Sequence, residues 1–336
     1  MSGAAQVTRP GRTTVGVPLE RYFYHSFPRR GRATESEVAK GCEILALIAD
    51  AGLLLAPEVV VWQHPHANGT PPREQSYIQR RVCFTELAPE ELPDHAREFG
   101  SFALEFEIET LKRMGAMPVF YVPQAVGTET DGRSSLGSTL VIQSMDAMVL
   151  AARLAGVAEA LARAKDGDEF NCAFGFQSLR TFSFEVSNLR RFVEAFTYAI
   201  TPPEMLQYGL EGLLSGFYPA DNLRDSKVLA YYRQREWRIA WNFAYRGEEV
   251  MRRPSPELFD RLLKVDAEFF GRPFPTPRGE SRLGEEAYVY PRLGDTKVIQ
   301  LARRMIAPKD AMAQAVRILA QFAPSVPLVC IDDLAG

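Results

Sequence analysis

The chain is poor in the residues that usually betray chemistry. Its four cysteines, Cys42, Cys83, Cys172 and Cys330, are scattered through 336 residues with no CxxC spacing. That argues against a zinc site or a small disulfide framework and fits buried free thiols in a reducing compartment. GxSxG, HExxH and P-loop patterns are missing. No internal repeat of fixed period is present. No apolar run approaches the roughly 18 residues that span a bilayer. The opening "MSGAAQVTRPGRTTVGVP" has no apolar core of a secretory signal. The expectation is a cytoplasmic chain that makes no use of a membrane, with residues 1–18 as a disordered arm. Neither sign of charge dominates: 39 Lys and Arg stand against 42 Asp and Glu, and the pI is near 6. Nothing global then favours non-specific nucleic-acid binding.

What the chain has is core-forming material, 46% apolar and 11% aromatic. "RYFYHSF" reads as a strand and "ESEVAKGCEILALIADAG" as a helix stopped at Gly52. "LLLAPEVVVW" is apolar and interrupted at Pro57, and "SYIQRRVCFTEL" reads as a strand. In "SFALEFEI" the alternation of Phe102, Leu104, Phe106 and Ile108 is that of a half-buried strand. "MPVFYVP" is a further strand, 124–136 a polar loop, and 137–165 a long helical block. Ser187 to Leu214 reads as helical or mixed, "REWRI" as a strand, "KDAMAQAVRILAQF" as a helix and "VPLVCID" as a terminal strand. The fold class expected is α+β: one domain over 19–336 built on a split mixed or antiparallel sheet. A helical insertion covers about 137–230, and a Pro/Arg-rich loop about 265–295.

Few residues offer chemistry. On a strand, His25 shares a face with Phe23 and Phe27. Taken alone it reads first as a structural histidine and second as a ligand. Glu236 and Arg238 share a face of "REWRI", with Trp237 on the other; a carboxylate between arginines is first a salt bridge. It could also steady a developing cation or accept a proton. His64 and His66 have the look of a metal pair, but Pro65 and the polar loop around them argue for a turn. With no third ligand in view, no metal is expected. His95 could brace the turn before the next strand.

Several motifs in order carry a resemblance. "VCFTEL", "HAREFGSFALEF", "GAMPVFYVP" and "YYRQREWRI", across roughly 20–245, are similar to the abortive-infection AbiGi family of bacterial phage-resistance proteins. The arm and the 265–295 stretch look like additions. Members of that family are described as antitoxin-type. The resemblance therefore implies a phage-defence protein of a toxin–antitoxin system, with a cognate toxin or antitoxin protein as partner.

A weaker resemblance is more mechanistic. "YHSF…ILALIADAGLLLAPE" and "REWRI" are similar to ADP-ribosyltransferases of the poly(ADP-ribose) polymerase type and of DNA-targeting toxins. It implies an ADP-ribosyltransferase-like fold, NAD as substrate and a macromolecular acceptor. His25 would bind the NAD ribose, Ser26 would assist, and Glu236 would be catalytic. Arginines such as Arg238 would face the pyrophosphate, and Tyr77 or Tyr121 would fill the missing tyrosine role. A nucleic-acid acceptor would need a local basic surface, for which "PRRGR" (28–32), Arg80–Arg81 and Arg190–Arg191 are candidates; each alone reads as solvated charge. The alternative is a non-catalytic partner-binding protein, marked by an apolar patch on the helical block. Glu236-x-Arg238 also loosely resembles the acidic-x-Lys pair of metal-dependent nucleases, with Arg in place of Lys. The transferase reading carries a geometric demand: His25 and Glu236 must meet in one cleft.

Overall fold

Alternation of side chains governs the first strands in the computed structural model. It describes residues 21–28, 37–64, 73–122, 136–174, 180–199, 203–219, 235–241, 244–245, 248–276 and 279–334. The expected arm, the 124–135 loop and most of the "PRRGR" cluster lie outside the described residues. Strand β1 (Tyr22–Phe27) precedes helix α1 (Glu37–Ala51), which ends where Gly52 takes φ 114°. That left-handed conformation suits glycine, and the Gly52 N–H closes the last turn on the Ile48 carbonyl. Strands β2 (Leu53–His64) and β3 (Arg73–Leu87) then form a long antiparallel pair.

β2 runs through Pro57 without a break, contrary to the expected interruption. The register explains why. Arg80, opposite Pro57, turns its carbonyl towards Trp241 rather than towards β2. Pro57 therefore has its missing N–H on the outer edge, where no ladder bond is lost.

Helix α2 (Leu92–Phe99) leads into β4 (Phe102–Phe106), and α3 (Ile108–Arg113) follows at once. β4 is buried on both faces, and Ile108 starts a helix instead of extending the strand. Glu105 can be buried because it accepts the Tyr24 hydroxyl at 2.6 Å and pairs with Arg303 and Arg304. Two short strands, β5 (Met117–Pro118) and β6 (Phe120–Val122), precede the helical block. There α4 (Leu136–Arg163) is followed by the hairpin β7 (Glu169–Phe174) and β8 (Arg180–Glu185), which periodicity did not suggest. Helices α5 (Val186–Ala199) and α6 (Pro203–Gly216) and strand β9 (Phe217–Pro219) complete it.

β10 (Glu236–Ala240) returns to the main sheet, followed by the short pair β11 (Ala244–Tyr245) and β12 (Glu248–Glu249). The stretch expected as a Pro/Arg-rich loop is largely structured. After α7 (Pro256–Val265) and α8 (Ala267–Gly271) it forms the hairpin β13 (Pro273–Thr276) and β14 (Gly279–Arg282), then β15 (Tyr288–Tyr290). The Leu283 N–H reaches the Arg272 carbonyl, so alternation turns Pro273 and Pro275 away from the partner strand. A short pair, β16 (Arg292–Leu293) and β17 (Thr296–Lys297), leads to β18 (Arg304–Ala307), α9 (Met312–Phe322) and β19 (Leu328–Cys330).

The result is α+β. A nine-stranded mixed sheet runs β15-β2-β3-β1-β4-β18-β19, with β10 on β3 and β5 on β10; among the described residues only β18 and β19 pair in parallel within it. It divides at β3. Arg81 faces Ala56 of β2 on one edge and Ala240 of β10 on the other; Thr85 faces Tyr24 of β1 and Glu236 of β10. β1 and β2 thus share one edge of β3 and part company near Val82–Phe84. One face of the sheet, with Phe23, Phe27, Phe84, Leu104 and Met305, is covered by α1 and α9. The other carries Tyr22, Tyr24 and Ile306 at one end, with α2, and Val60 and Trp62 at the other, with α4 and α6.

Gly41 shows how tightly α1 is seated: an added Cβ would lie 2.2 Å from the ring of fully buried Phe102. Gly41→Ala gains about 1 kcal/mol of helix propensity but overpacks this contact. The expected net result is destabilisation by roughly 1–2 kcal/mol, read as a lower urea midpoint with unchanged slope.

Candidate functional site

β10 carries a dense polar group. Its even positions, Glu236 and Arg238, lie opposite Thr85 and Cys83 of β3 and therefore share a face with Gln79 and Arg81. Glu236 is only 7% exposed and Arg238 4%. Arg238 grips the carboxylate through Nε to Oε1 at 2.8 Å and Nη2 to Oε2 at 3.2 Å. The Tyr121 hydroxyl donates to Oε2 at 2.6 Å, and the Cys83 thiol lies within hydrogen-bonding reach.

The network continues along β3. Gln79, fully buried, accepts from Arg81 and, at 3.4 Å, from Arg238, and its amide donates to the Leu214 and Phe217 carbonyls at 2.9 Å. Arg81 pairs with Glu58, which also accepts the Tyr218 hydroxyl at 3.1 Å. The Tyr218 ring lies beneath both guanidinium groups, 4.7 Å from that of Arg238 and 5.0 Å from that of Arg81. Each charge in this chain of groups has an opposite partner, as a buried ionic network requires.

Titration follows from those contacts. Burial by itself would raise the Glu236 pKa, but the Arg238 charge and hydrogen bonds, with Arg81 behind them, hold it at about 2. Burial and the Glu236 charge push the Cys83 thiol up to about 11 and the Tyr121 phenol well above its usual range. At neutral pH the group is an ionised carboxylate among protonated donors. One side remains open: Glu236, Tyr121, Phe120, Trp237 and Arg235 line a pocket of about 350 Å³. Arg235, at its rim, takes φ 43°, a left-handed conformation uncommon outside glycine.

Of the candidate site residues, Glu236, Arg238 and Tyr121 come together. Tyr77 lies on the same face but bonds elsewhere: its hydroxyl donates to the Glu211 carbonyl at 3.4 Å, and burial raises its pKa to about 12. His25 does not join them, and the expected shared cleft with Glu236 is corrected by the register. Tyr24 and Glu236 both oppose Thr85 and so share its face, which puts His25, one residue on, on the other. There Phe23 meets Trp237 at 5.3 Å, and the His25 ring sits 5.8 Å from Phe84. Ser26 returns to the Tyr24 face, 3.5 Å from His95 Nδ1, so it cannot assist a ligand held by His25. His95 stacks on Phe99 within α2, and burial lowers its pKa to about 4.

Among the described residues no group of three His, Cys, Asp or Glu side chains is placed to hold a metal; His66 lies outside them. The described basic clusters are engaged with acids: Arg80 with Glu286, Arg81 with Glu58, and Arg190 with Asp166 and the last carbonyls of α4.

Sequence reasoning missed the place of Gln79, Cys83, Glu58 and Tyr218 in this network, and it took Arg81 for part of a basic surface. A signal existed: every second residue of β3 from Tyr77 to Thr85 is polar or a thiol. Alternation of that kind is normally read as a solvent face, and here Gln79 and Thr85 are buried and Tyr77, Arg81 and Cys83 half-buried.

No protein-family model, curated protein or solved structure matches the chain.

Since the folded pKa of Glu236 is depressed, its contribution to stability is full above the usual value of 4.5 and is lost as pH falls through about 2. Glu236→Ala leaves Arg238 buried without its partner and is expected to cost about 3–5 kcal/mol at pH 7. In urea unfolding the gap between wild type and variant should narrow steadily from pH 5 to pH 2. A gap that is constant over this range would show that the carboxylate charge is not what stabilises.

Proposed function

We propose that the chain is the partner-binding member of a bacterial abortive-infection defence system, working in the cytoplasm by docking a cognate toxin or antitoxin protein on its helical block. The observation that carries this reading is the outer face of α4. Leu140, Ala147, Leu150 and Leu154 follow one another at helical spacing and are all exposed, Leu150 by 59% and Leu154 by 43%. Asp146 and Arg153 flank this strip on one side, and the exposed Gln143 lies within it. An exposed apolar strip edged by charge is the kind of surface that marks a protein interface. α4 is also the one described helix long and apolar enough to cross a membrane. Its packing against α6, and the burial of Val141, Ile142 and Met145, favour a protein partner.

A second reading keeps one specific observation in its favour. Glu236 and Tyr121 open onto a pocket walled by Phe120 and Trp237, which suits a flat heterocycle. On an ADP-ribosyltransferase-like sheet, that pocket would take NAD and pass ADP-ribose to a nucleic-acid or protein acceptor. His25 has no part in this version.

The two readings separate in one experiment. The chain is co-expressed with its adjacent-gene product, and co-elution, phage protection and NAD consumption are measured for wild type, L150D/L154D and E236Q. Docking predicts that L150D/L154D, still folded by circular dichroism, weakens the complex roughly 30-fold or more and loses protection, while folded E236Q keeps both. Loss of protection and NAD turnover in folded E236Q, with L150D/L154D active, overturns it in favour of transfer.

A further inference from the structure

The face of the sheet that carries His25 holds a second pocket. Where β1 and β2 part along the edge of β3, α1 and the α7–α8 pair close over a cavity of about 240 Å³. Its walls include Phe27, Ile48, Leu258, Leu262 and Phe270. Among the described lining residues His25 is the one polar side chain, and no Lys or Arg is present.

The state of the His25 ring follows from the split sheet. The Trp241 N–H reaches the Arg80 carbonyl and the Glu86 N–H the Arg235 carbonyl, so even-numbered residues of β3 bond towards β10. The Cys83 carbonyl must point the other way, into the gap between β1 and β2, where no strand meets it. His25 Nδ1 lies 3.0 Å from that oxygen. A carbonyl only accepts, so Nδ1 carries the proton. Burial lowers the ring's pKa, and it is neutral at physiological pH. The remaining nitrogen, Nε2, has a free lone pair and no hydrogen-bond partner among the described residues.

We propose that this cavity is a binding site for a compact apolar molecule with a single N–H or O–H donor, its body against the α1 and α7–α8 side chains and its donor on His25 Nε2. The argument is one of fit. An apolar cavity of about 150 Å³ takes up benzene, so this one accommodates a molecule of roughly ten non-hydrogen atoms. A lone acceptor in an apolar wall selects for a matching donor, because a ligand without one leaves the lone pair desolvated and unpaired. A bicyclic heteroaromatic with a ring N–H, or a short alkylphenol, meets both conditions. The inference is independent of partner docking on α4, which lies over the other face of the sheet.

Indole and 1-methylindole test it, since they share a body and differ in the donor. Binding to the full-length protein is measured by isothermal titration calorimetry and ligand-observed NMR, with folding of each variant checked by thermal unfolding. Wild type should bind indole saturably and 1-methylindole about fivefold more weakly, the worth of one net hydrogen bond. H25F should bring the two affinities together. L258W, which fills the cavity from the α7 side, should abolish both. If H25F does not fold, the ligand pair on wild type together with L258W decides. Absence of saturable binding to folded wild type, equal affinity for the two ligands, or binding unchanged in L258W overturns the proposal.

Discussion

One strand serves three neighbours, and that constraint organises the molecule. β3 gives one edge to β10 and divides the other between β1 and β2. Because side chains on a strand alternate, β3 decides which residues of all four strands can meet. Odd-numbered positions of β3 gather Glu58, Tyr24, Glu236 and Arg238 on one face. Even-numbered positions gather Phe23, His25, Trp237 and Ile239 on the other. A shift of one residue in the pairing of β10 would bury Trp237 among arginines and turn Glu236 into the α1 core. Both spaces described above follow from this strand. The polar one lies at the start of β10, and the apolar one fills the side of the gap where β1 and β2 diverge.

The same division shows what sequence can and cannot reveal. Element types were legible where periodicity and punctuation agreed: α1 ends at Gly52 as its pattern indicates, and β1, β3, β10 and α9 fall where their residues place them. The hairpin β7–β8 was hidden between two helical blocks, and β13–β14 was hidden because Pro273 and Pro275 look like loop residues until their register is known. The pairing of Glu236 with Arg238 was legible, since two residues at i and i+2 on a strand share a face whatever surrounds them. The separation of His25 from Glu236 was not. It depends on which residue of β1 opposes Thr85, a long-range register that no local pattern encodes. Glu105 and Gln79 illustrate the same limit: a polar residue in an alternating strand reads as solvent-facing, and only tertiary partners such as Tyr24, Arg303 or the α6 carbonyls make its burial tolerable.

How the Glu236 group is wired bears directly on what it can do. A general base works best with a pKa near the working pH, because it must both be free to take a proton and want one. A carboxylate held at about 2 is free but a weak base. A carboxylate can also act without moving a proton, by stabilising a cation, and for that its field must reach the substrate. Arg238, bonded to both oxygens of Glu236, cancels much of that field, and the Tyr121 hydroxyl occupies Oε2 as well. The polar donors of this face are spent on one another. That is the arrangement of a network that fixes the position of β10 against β3 and under α6. The exposed aliphatic face of α4 is in the opposite condition, with apolar surface unmet by anything in the described fold.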